Sequence, residues 1–470
     1  MASPMLKASA LLHAVVVLLL GASVVSGRHH SSSNVYLAPN CRAHTASLAD
    51  FGGVGDGTTS NTAAFRSAVE QLSQYSGGAM LYVPAGKWLT GPFNLSSHLT
   101  LFLESDAVIL GSQNLSEWPV IAPLPSYGRG RDKTGGRYAS LIGGANLTDV
   151  AITGNNGTID GQGAMWWSKF HQNKLRYTRG YLVELMWCDG IFISNVTLRN
   201  SPAWNIHPVY SSNVVVQGVT ILAPTRSPNT DGINPDSCSH VRIQDCYVVS
   251  GDDCVAIKSG WDEYGIRFGM PSQHIVVRRL TCVSPTSAML ALGSEMSGGI
   301  SDVRAEDLTA VDTESAVRIK TAVGRGSYVK DVFVRGMRLD GMKYVFWMTG
   351  SYRSHPDDGF DPNAIPAVGN VSYQDVVATG VYKSAARLEG IQGAPFRGIC
   401  LANVTAQLDK SKKRPWTCTD VEGVSSADVA PPPCEALQQG KHDGACPFPT
   451  DTLPIDQVTL QQCEYNVPAN

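Results

Sequence analysis

Three polar clusters interrupt strand-like sequence in the middle of the chain: Asn229-Thr230-Asp231, Gly251-Asp252-Asp253-Cys254 and Arg318-Ile319-Lys320. Three carboxylates followed by two cations are the groups needed to hydrolyse a glycosidic bond in an acidic sugar polymer. One carboxylic acid protonates the leaving oxygen, an ionised partner activates water, and the cations hold the substrate's own carboxylates. Taken singly, each cluster is ordinary. An Asp-Asp pair in a turn is more often a solvated Asx turn, and an Arg-x-Lys on a strand is usually a solvated face. The chemistry requires a fold that brings them together.

The clusters sit in a repeat. Short aliphatic runs recur, among them Gly190-Ile191-Phe192-Ile193, Asn213-Val214-Val215-Val216, His240-Val241-Arg242-Ile243 and Asp331-Val332-Phe333-Val334. Marking the same strand position throughout gives Ile152, Ile193, Val216, Ile243, Val277, Ala305, Val334, Tyr373 and Leu401. The step is most often about 28 residues, with insertions lengthening it in places. One strand mark per coil is the pattern of a solenoid, and the strand-rich content makes it an all-β parallel β-helix. A β-sandwich would space its strands about 8–12 residues apart with hairpin turns, and a propeller would show four strands per blade of about 40–50 residues. Neither matches. Counted from the preceding marks, Asp231, Asp252, Asp253, Arg318 and Lys320 fall about 9–15 residues along their coils, as do Asn205 and His207. They therefore line one side of the solenoid in coils about 4.8 Å apart. Carboxylates stacked this closely repel one another and push their pKa values apart, as acid–base division of labour requires.

Composition agrees with a turn-rich β fold: charged residues are 16% and glycines number 46, against roughly 25% charged residues in typical globular chains. A net charge of −3 and the lack of a long basic block give no reason to expect a nucleic-acid partner. Lys7, the apolar run Ala14 to Ala22 and Val25-Ser26-Gly27 follow the order of a secretory signal peptide, residues 1–27. Nothing later resembles a transmembrane helix, so a secreted protein free of the membrane is expected. A segment 28–44 precedes the solenoid, 45–408, and a Cys-rich tail, 409–470, is expected to cap its last coil. Ala64, Phe65, Ala68, Val69 and Leu72 recur at helical spacing, with Ser60 or Asn61 as N-cap, and predict a short N-terminal capping helix. Five of eleven cysteines crowd the tail and point to disulfides. No C-x-x-C pair occurs, so neither a metal nor another cofactor is expected. Seven Asn-x-Ser/Thr sequons are candidate glycosylation sites.

The three clusters, in this order and spacing, resemble the signature blocks of the polygalacturonases and related pectin hydrolases, glycoside hydrolase family 28. Asp50-Phe51-Gly52-Gly53-Val54-Gly55-Asp56-Gly57 and Val83-Pro84-Ala85-Gly86 are similar to the opening of that family's right-handed β-helix. The resemblance covers roughly residues 45 to 410. It implies metal-independent, inverting hydrolysis of α-1,4-galacturonosyl bonds in pectic polysaccharide, outside the cell or in its wall. Asp252 would be the general acid, Asp231 and Asp253 would activate the water, and Arg318 and Lys320 would bind uronate.

One block departs from the pattern. Where many of these hydrolases have Gly-His-Gly ahead of Gly-Ser, this chain reads Ser287-Ala288-Met289 ahead of Gly293-Ser294, so Ala288 takes the histidine position. The departure puts endo-type action on homogalacturonan in doubt. His207 and Glu295 could compensate, or could be structural. The substrate-binding candidates are Arg318, Lys320, Asn229, His207 and Tyr352, with Tyr352 the favoured aromatic for the cleft. Trp166 and Trp167 could also stack on sugar, while Trp204 is expected in or beside the core. Two other readings stay open: a Ca²⁺-dependent eliminase on the same fold, and a catalytically silent pectin-binding wall protein. A monomer is expected.

Overall fold

The nine register marks stack directly upon one another. Ile152 pairs with Ile193, Ile193 with Val216, Val216 with Ile243, and so through Val277, Ala305, Val334 and Tyr373 to Leu401, all in parallel. The same column extends back through Leu101 and Leu81 to Ala46 and forward to Ser425. The chain is a right-handed parallel β-helix. The computed structural model describes residues 35–36, 42–409, 415–437 and 444–460. The signal-peptide reading lies outside them, as do Cys41 and Cys463.

The column forms because β-branched residues alternate inward. Ile191, Ile193, Val214, Val216, Val241, Ile243, Ile275 and Val277 are all buried, each stabilising the fold by about 1.5–3 kcal/mol relative to exposure. Two residues past each mark from Ile193 onward the backbone bends sharply through a left-handed residue. Asn195, Gly218, Asp245, Arg279, Asp307, Gly336, Asp375 and Asn403 have φ between 48° and 70°, a region that Gly, Asn and Asp enter at least cost. The column is tied along its length: Arg279 Nε donates to Asp245 Oδ1 at 2.6 Å, and Asn403 Nδ2 to Asp375 Oδ1 at 2.7 Å.

A second ladder holds the polar clusters. It runs through Phe93–Asn94, Ile142–Ala145, Val183–Met186, Ile206–Val209, Val255–Ile257, Ala288–Leu292, Ser315–Lys320, Tyr344–Thr349, Ser384–Glu389 and Trp416–Thr419, with isolated pairings at Ile233 and Asp236 bridging its two halves. We call it the site sheet.

Both ends are covered. The helix Thr62–Leu72 buries Ala64, Phe65, Ala68, Val69 and Leu72, and Phe65 stacks on Phe93 at 4.3 Å. Asn61 occupies the N-cap, but its side chain caps nothing: it accepts from Val54 N and donates to the carbonyls of Val54 and Leu89, fastening the preceding loop. At the other end Trp416–Thr419 and Val421–Ser425 continue the ladders past residue 408, and disulfides Cys400–Cys446 and Cys418–Cys434 pin the tail. A third, Cys254–Cys282, lies within the core between neighbouring coils. No described helix is long and apolar enough to cross a membrane.

Candidate active site

Asp231 and Asp253 enter the site sheet at the same point of successive coils, since Gly232 N donates to the Asp253 carbonyl at 2.9 Å. Asp252 precedes its neighbour at the rim. One oxygen from each of the three carboxylates lies within 4.8 Å of the others. Asp231 and Asp253 are buried and Asp252 is half-buried. Asp253 is the most heavily bonded: Oδ1 accepts from Ser287 Oγ at 2.5 Å and Ala288 N at 3.1 Å, and Oδ2 from Lys320 Nζ at 2.5 Å. Asp252 accepts from Ser287 Oγ at 3.0 Å and Asn229 Nδ2 at 3.3 Å. Asp231 accepts from Asn234 Nδ2 at 3.0 Å.

These partners separate the three acids. Burial pushes every one upward, but at Asp253 the ammonium groups of Lys320 and Lys258 win and hold the carboxyl below its ordinary value. At Asp252 burial and then the Asp253 charge raise it. At Asp231 burial and then Asp252 raise it to about 7, against the pull of Lys258. Asp253 is thus the most acidic of the three, and Asp252 and Asp231 hold their protons to higher pH. A carboxyl held low suits activation of water and one held high suits proton donation. At Asp231 the pull of Lys258 at 3.6 Å, and after it of Lys320, does not offset burial and the neighbouring Asp252 charge.

Clustered carboxyls of unequal acidity, with a lysine against the most acidic, are chemically suited to general acid–base hydrolysis. The sequence profile described as Glycosyl hydrolases family 28 matches residues 79–428. The chain belongs to glycosyl hydrolase family 28. This family 28 hydrolase is 64% identical over 437 residues to a "Probable polygalacturonase" of Vitis vinifera, covering 92% of this chain and 89% of the relative. Among solved structures it is similar to an exopolygalacturonase of Thermotoga maritima, with a TM-score of 0.71 and 29% identity over 82% of this chain and 90% of the other. A family 28 exopolygalacturonase of Yersinia enterocolitica, 21% identical with a TM-score of 0.69 over 82% of this chain and 79% of the other, shares the fold.

The other expected site residues divide. Lys320, Asn229 and Tyr352 line the pocket with the three aspartates. Arg318 flanks it: its guanidinium stacks on Trp347 at 3.7 Å, pairs with Glu314 at 3.2 Å and stands 5.8 Å from the Tyr352 ring. His207 is a correction. It is fully buried, with Nδ1 2.9 Å from Glu184 and Nε2 3.3 Å from Asp236, under the rings of Tyr181 and Trp204. A side chain closed off from solvent cannot contact substrate in this conformation; it supports the pocket wall. Of the tryptophans, Trp166 packs in the core, and Trp204, though buried, lines the pocket stacked on Tyr181 at 4.6 Å. Ala288 sits in an apolar cluster with Ala256 and Ala291, and the Ser287 hydroxyl beside it contacts both Asp252 and Asp253.

Three cations in or beside the pocket were missed by the sequence reading: Lys258 and Arg131, which line it, and Arg179, which stands behind Asn229. Lys258 joins Asp231 to Glu295, at 3.6 and 3.2 Å, and lies 4.6 Å from the Trp204 ring. Its signal was present: it follows Ile243 by fifteen residues, the offset at which Asp231 follows Val216 and Lys320 follows Ala305. Arg131 pairs with Glu295 at 2.8 Å, and Arg179 pairs with Asp132 at 2.9 Å and donates to Asn229 at 2.7 Å. Both come from insertions, where the repeat gives no offset. Glu295 is held well below the carboxylate range: burial opposes this, but Lys258, Arg131 and Arg325 prevail. It is a fixed anion that orients two cations. The three-aspartate geometry would also suit a divalent cation, but Lys320 and Lys258 already stand at Asp253 Oδ2 and Asp231 Oδ2.

Proposed function

We propose that this family 28 hydrolase is secreted and cleaves α-1,4-galacturonosyl bonds in pectic polysaccharide by inversion. The observation that carries the reading is the unequal treatment of adjacent residues: Asp253 is paired with Lys320, and Asp252 is left with neutral donors at the rim. Asp252 protonates the leaving oxygen. Asp253 takes a proton from the attacking water, and Asp231 beside it orients that water. General acid–base assistance of this kind is worth about 10²–10⁴-fold. Arg318, Lys320, Asn229 and Tyr352 hold the sugar acid. The disulfides support folding in an oxidising compartment, consistent with work in the extracellular wall as a monomer.

Spacing alone would not select inversion. Inverting pairs usually stand about 6.5–9.5 Å apart to admit water, whereas the nearest oxygens here are within 4.8 Å. The inverting assignment rests on family membership and places the water over the cluster. Proton NMR of fresh product tests it: a β-anomer is expected, and an α-anomer overturns inversion.

A further inference from the structure

The outer face of the site sheet is not an open groove. The insertion before Ile142–Ala145 starts at one edge of the sheet, and those after Val255–Ile257 and Tyr344–Thr349 start at the opposite edge. They meet. Residues 124–132 form a strap lying over the sheet: Tyr127 Oη donates to Asp236 Oδ2 at 2.6 Å, and Ser126 Oγ and Tyr210 Oη lie 2.6 Å apart. On the far edge Trp261 N donates to the Ser126 carbonyl at 2.8 Å, and Arg129 donates to the Pro356 carbonyl. Gly128, at φ 67°, lies against Tyr264, where a Cβ would come within 2.1 Å of the ring. Arg131 then turns down into the catalytic pocket and reaches Glu295.

The strap divides the sheet's outer face. On its N-terminal side is a separate cavity lined by Phe93, Asn94, Gly143, Glu184 and Met186, which shares no lining residue with the catalytic pocket. The catalytic pocket, a narrow cavity of about 50 Å³, has strap residues Arg131 and Asp132 and the carboxylates in one wall system. On the C-terminal side the surface continues. Arg318, Trp347 and Arg387 are in register on successive coils, with the two guanidinium groups 3.7 and 5.6 Å from the indole ring. Alternating cations and an aromatic face suit a polyanionic sugar chain.

We infer that the enzyme acts from a chain end: one terminus of the polyuronide is stopped by the strap 124–132, and the rest of the polymer leaves over Arg318, Trp347 and Arg387. This rests on the pectic-hydrolase reading. Because the wall and the acid share one pocket, a single short saccharide is released per cleavage, and interior bonds of a long chain cannot be threaded past the strap.

Wild-type enzyme on polygalacturonate, followed by viscosity, reducing groups and chromatography, tests this. The expected result is one mono- or disaccharide from the earliest time, with reducing groups rising while viscosity holds. A ladder of oligomers with rapid viscosity loss overturns the chain-end inference and leaves the pectic-hydrolase reading standing; no new reducing groups from any pectic backbone overturn both. The Arg129→Ala/Tyr264→Ala variant loosens the strap without touching the carboxylates, and longer oligomers are expected among its first products. An unchanged product pattern, with limited proteolysis showing the strap opened, overturns the strap's role.

Discussion

Lys320 donates to Asp253 at 2.5 Å, while the adjacent Asp252 accepts from Ser287, Asn229 and the Asp253 backbone N–H, all neutral groups. One lysine placed behind one of two sequence neighbours gives chemically alike residues different protonation.

Removing Lys320 therefore harms more than substrate binding. Lys320→Met leaves Asp253 buried without its ion partner, a loss of about 3–5 kcal/mol of stability at neutral pH, and lowers kcat because Asp253 no longer stays ionised in acid. Arg318→Ala, at the flank, is expected to raise KM with a near-normal melting temperature. Urea unfolding and steady-state kinetics of both variants check this; equal effects on kcat and stability from the two contradict it.

Activity should fall on both sides of a mildly acid optimum. Asp253, held below the ordinary aspartate value of 3.8, must be ionised and sets the acid limb beneath that pH. Asp252, raised above the same value, must be protonated, so turnover declines as pH climbs through its titration. The kcat/KM profile reads both limbs, and a profile still rising from pH 6 to 9 would refute the assignment.

Asp231 makes a stability prediction with a definite sign. A carboxyl raised from 3.8 to about 7 keeps a proton that the unfolded chain has already lost, so the native state is progressively destabilised as pH rises from about 4 to 7. Asp231→Asn abolishes this dependence. The variant should be more stable than wild type at pH 8, by on the order of 1–4 kcal/mol, with no advantage at pH 4, while turnover drops. Melting curves at the two pH values decide it.

Excess chelator should leave turnover unchanged, since Lys258 and Lys320 counter the aspartate charges. Loss of activity restored by Ca²⁺, with unsaturated product absorbing in the ultraviolet, would move the chain to an eliminase mechanism.

The solenoid was legible because its signal is local and repeated: an apolar, most often β-branched, residue facing inward once per coil sets the register, and the column from Ile152 to Leu401 follows from it. The aspartates and Lys320 were legible for the same reason, each at a fixed distance from its own mark, and Lys258 obeyed that rule unread. Arg131, Arg179 and the strap were not legible, because they lie in insertions whose paths depend on contacts over a hundred residues away, such as Tyr127 with Asp236. His207 shared the site offset, but Tyr181 and Trp204 roof it over, and offset alone does not report what covers a position. The ladder's continuation to Ser425 was hidden by Lys410 to Arg414 and Pro431-Pro432-Pro433, which break the pattern in sequence.

The central claim is that Asp252 delivers the proton that breaks the glycosidic bond. Turnover of Asp252→Asn on homogalacturonan, xylogalacturonan and rhamnogalacturonan, set beside wild type with oligosaccharide binding and melting temperature as controls, measures it directly. The amide keeps the shape and cannot serve as the acid, so a loss of about 10²–10⁴-fold in kcat is expected with binding and stability near wild type. Hydrolysis by Asp252→Asn at the wild-type rate would contradict the account, and a wild type inert on all three backbones would favour a silent wall-binding protein.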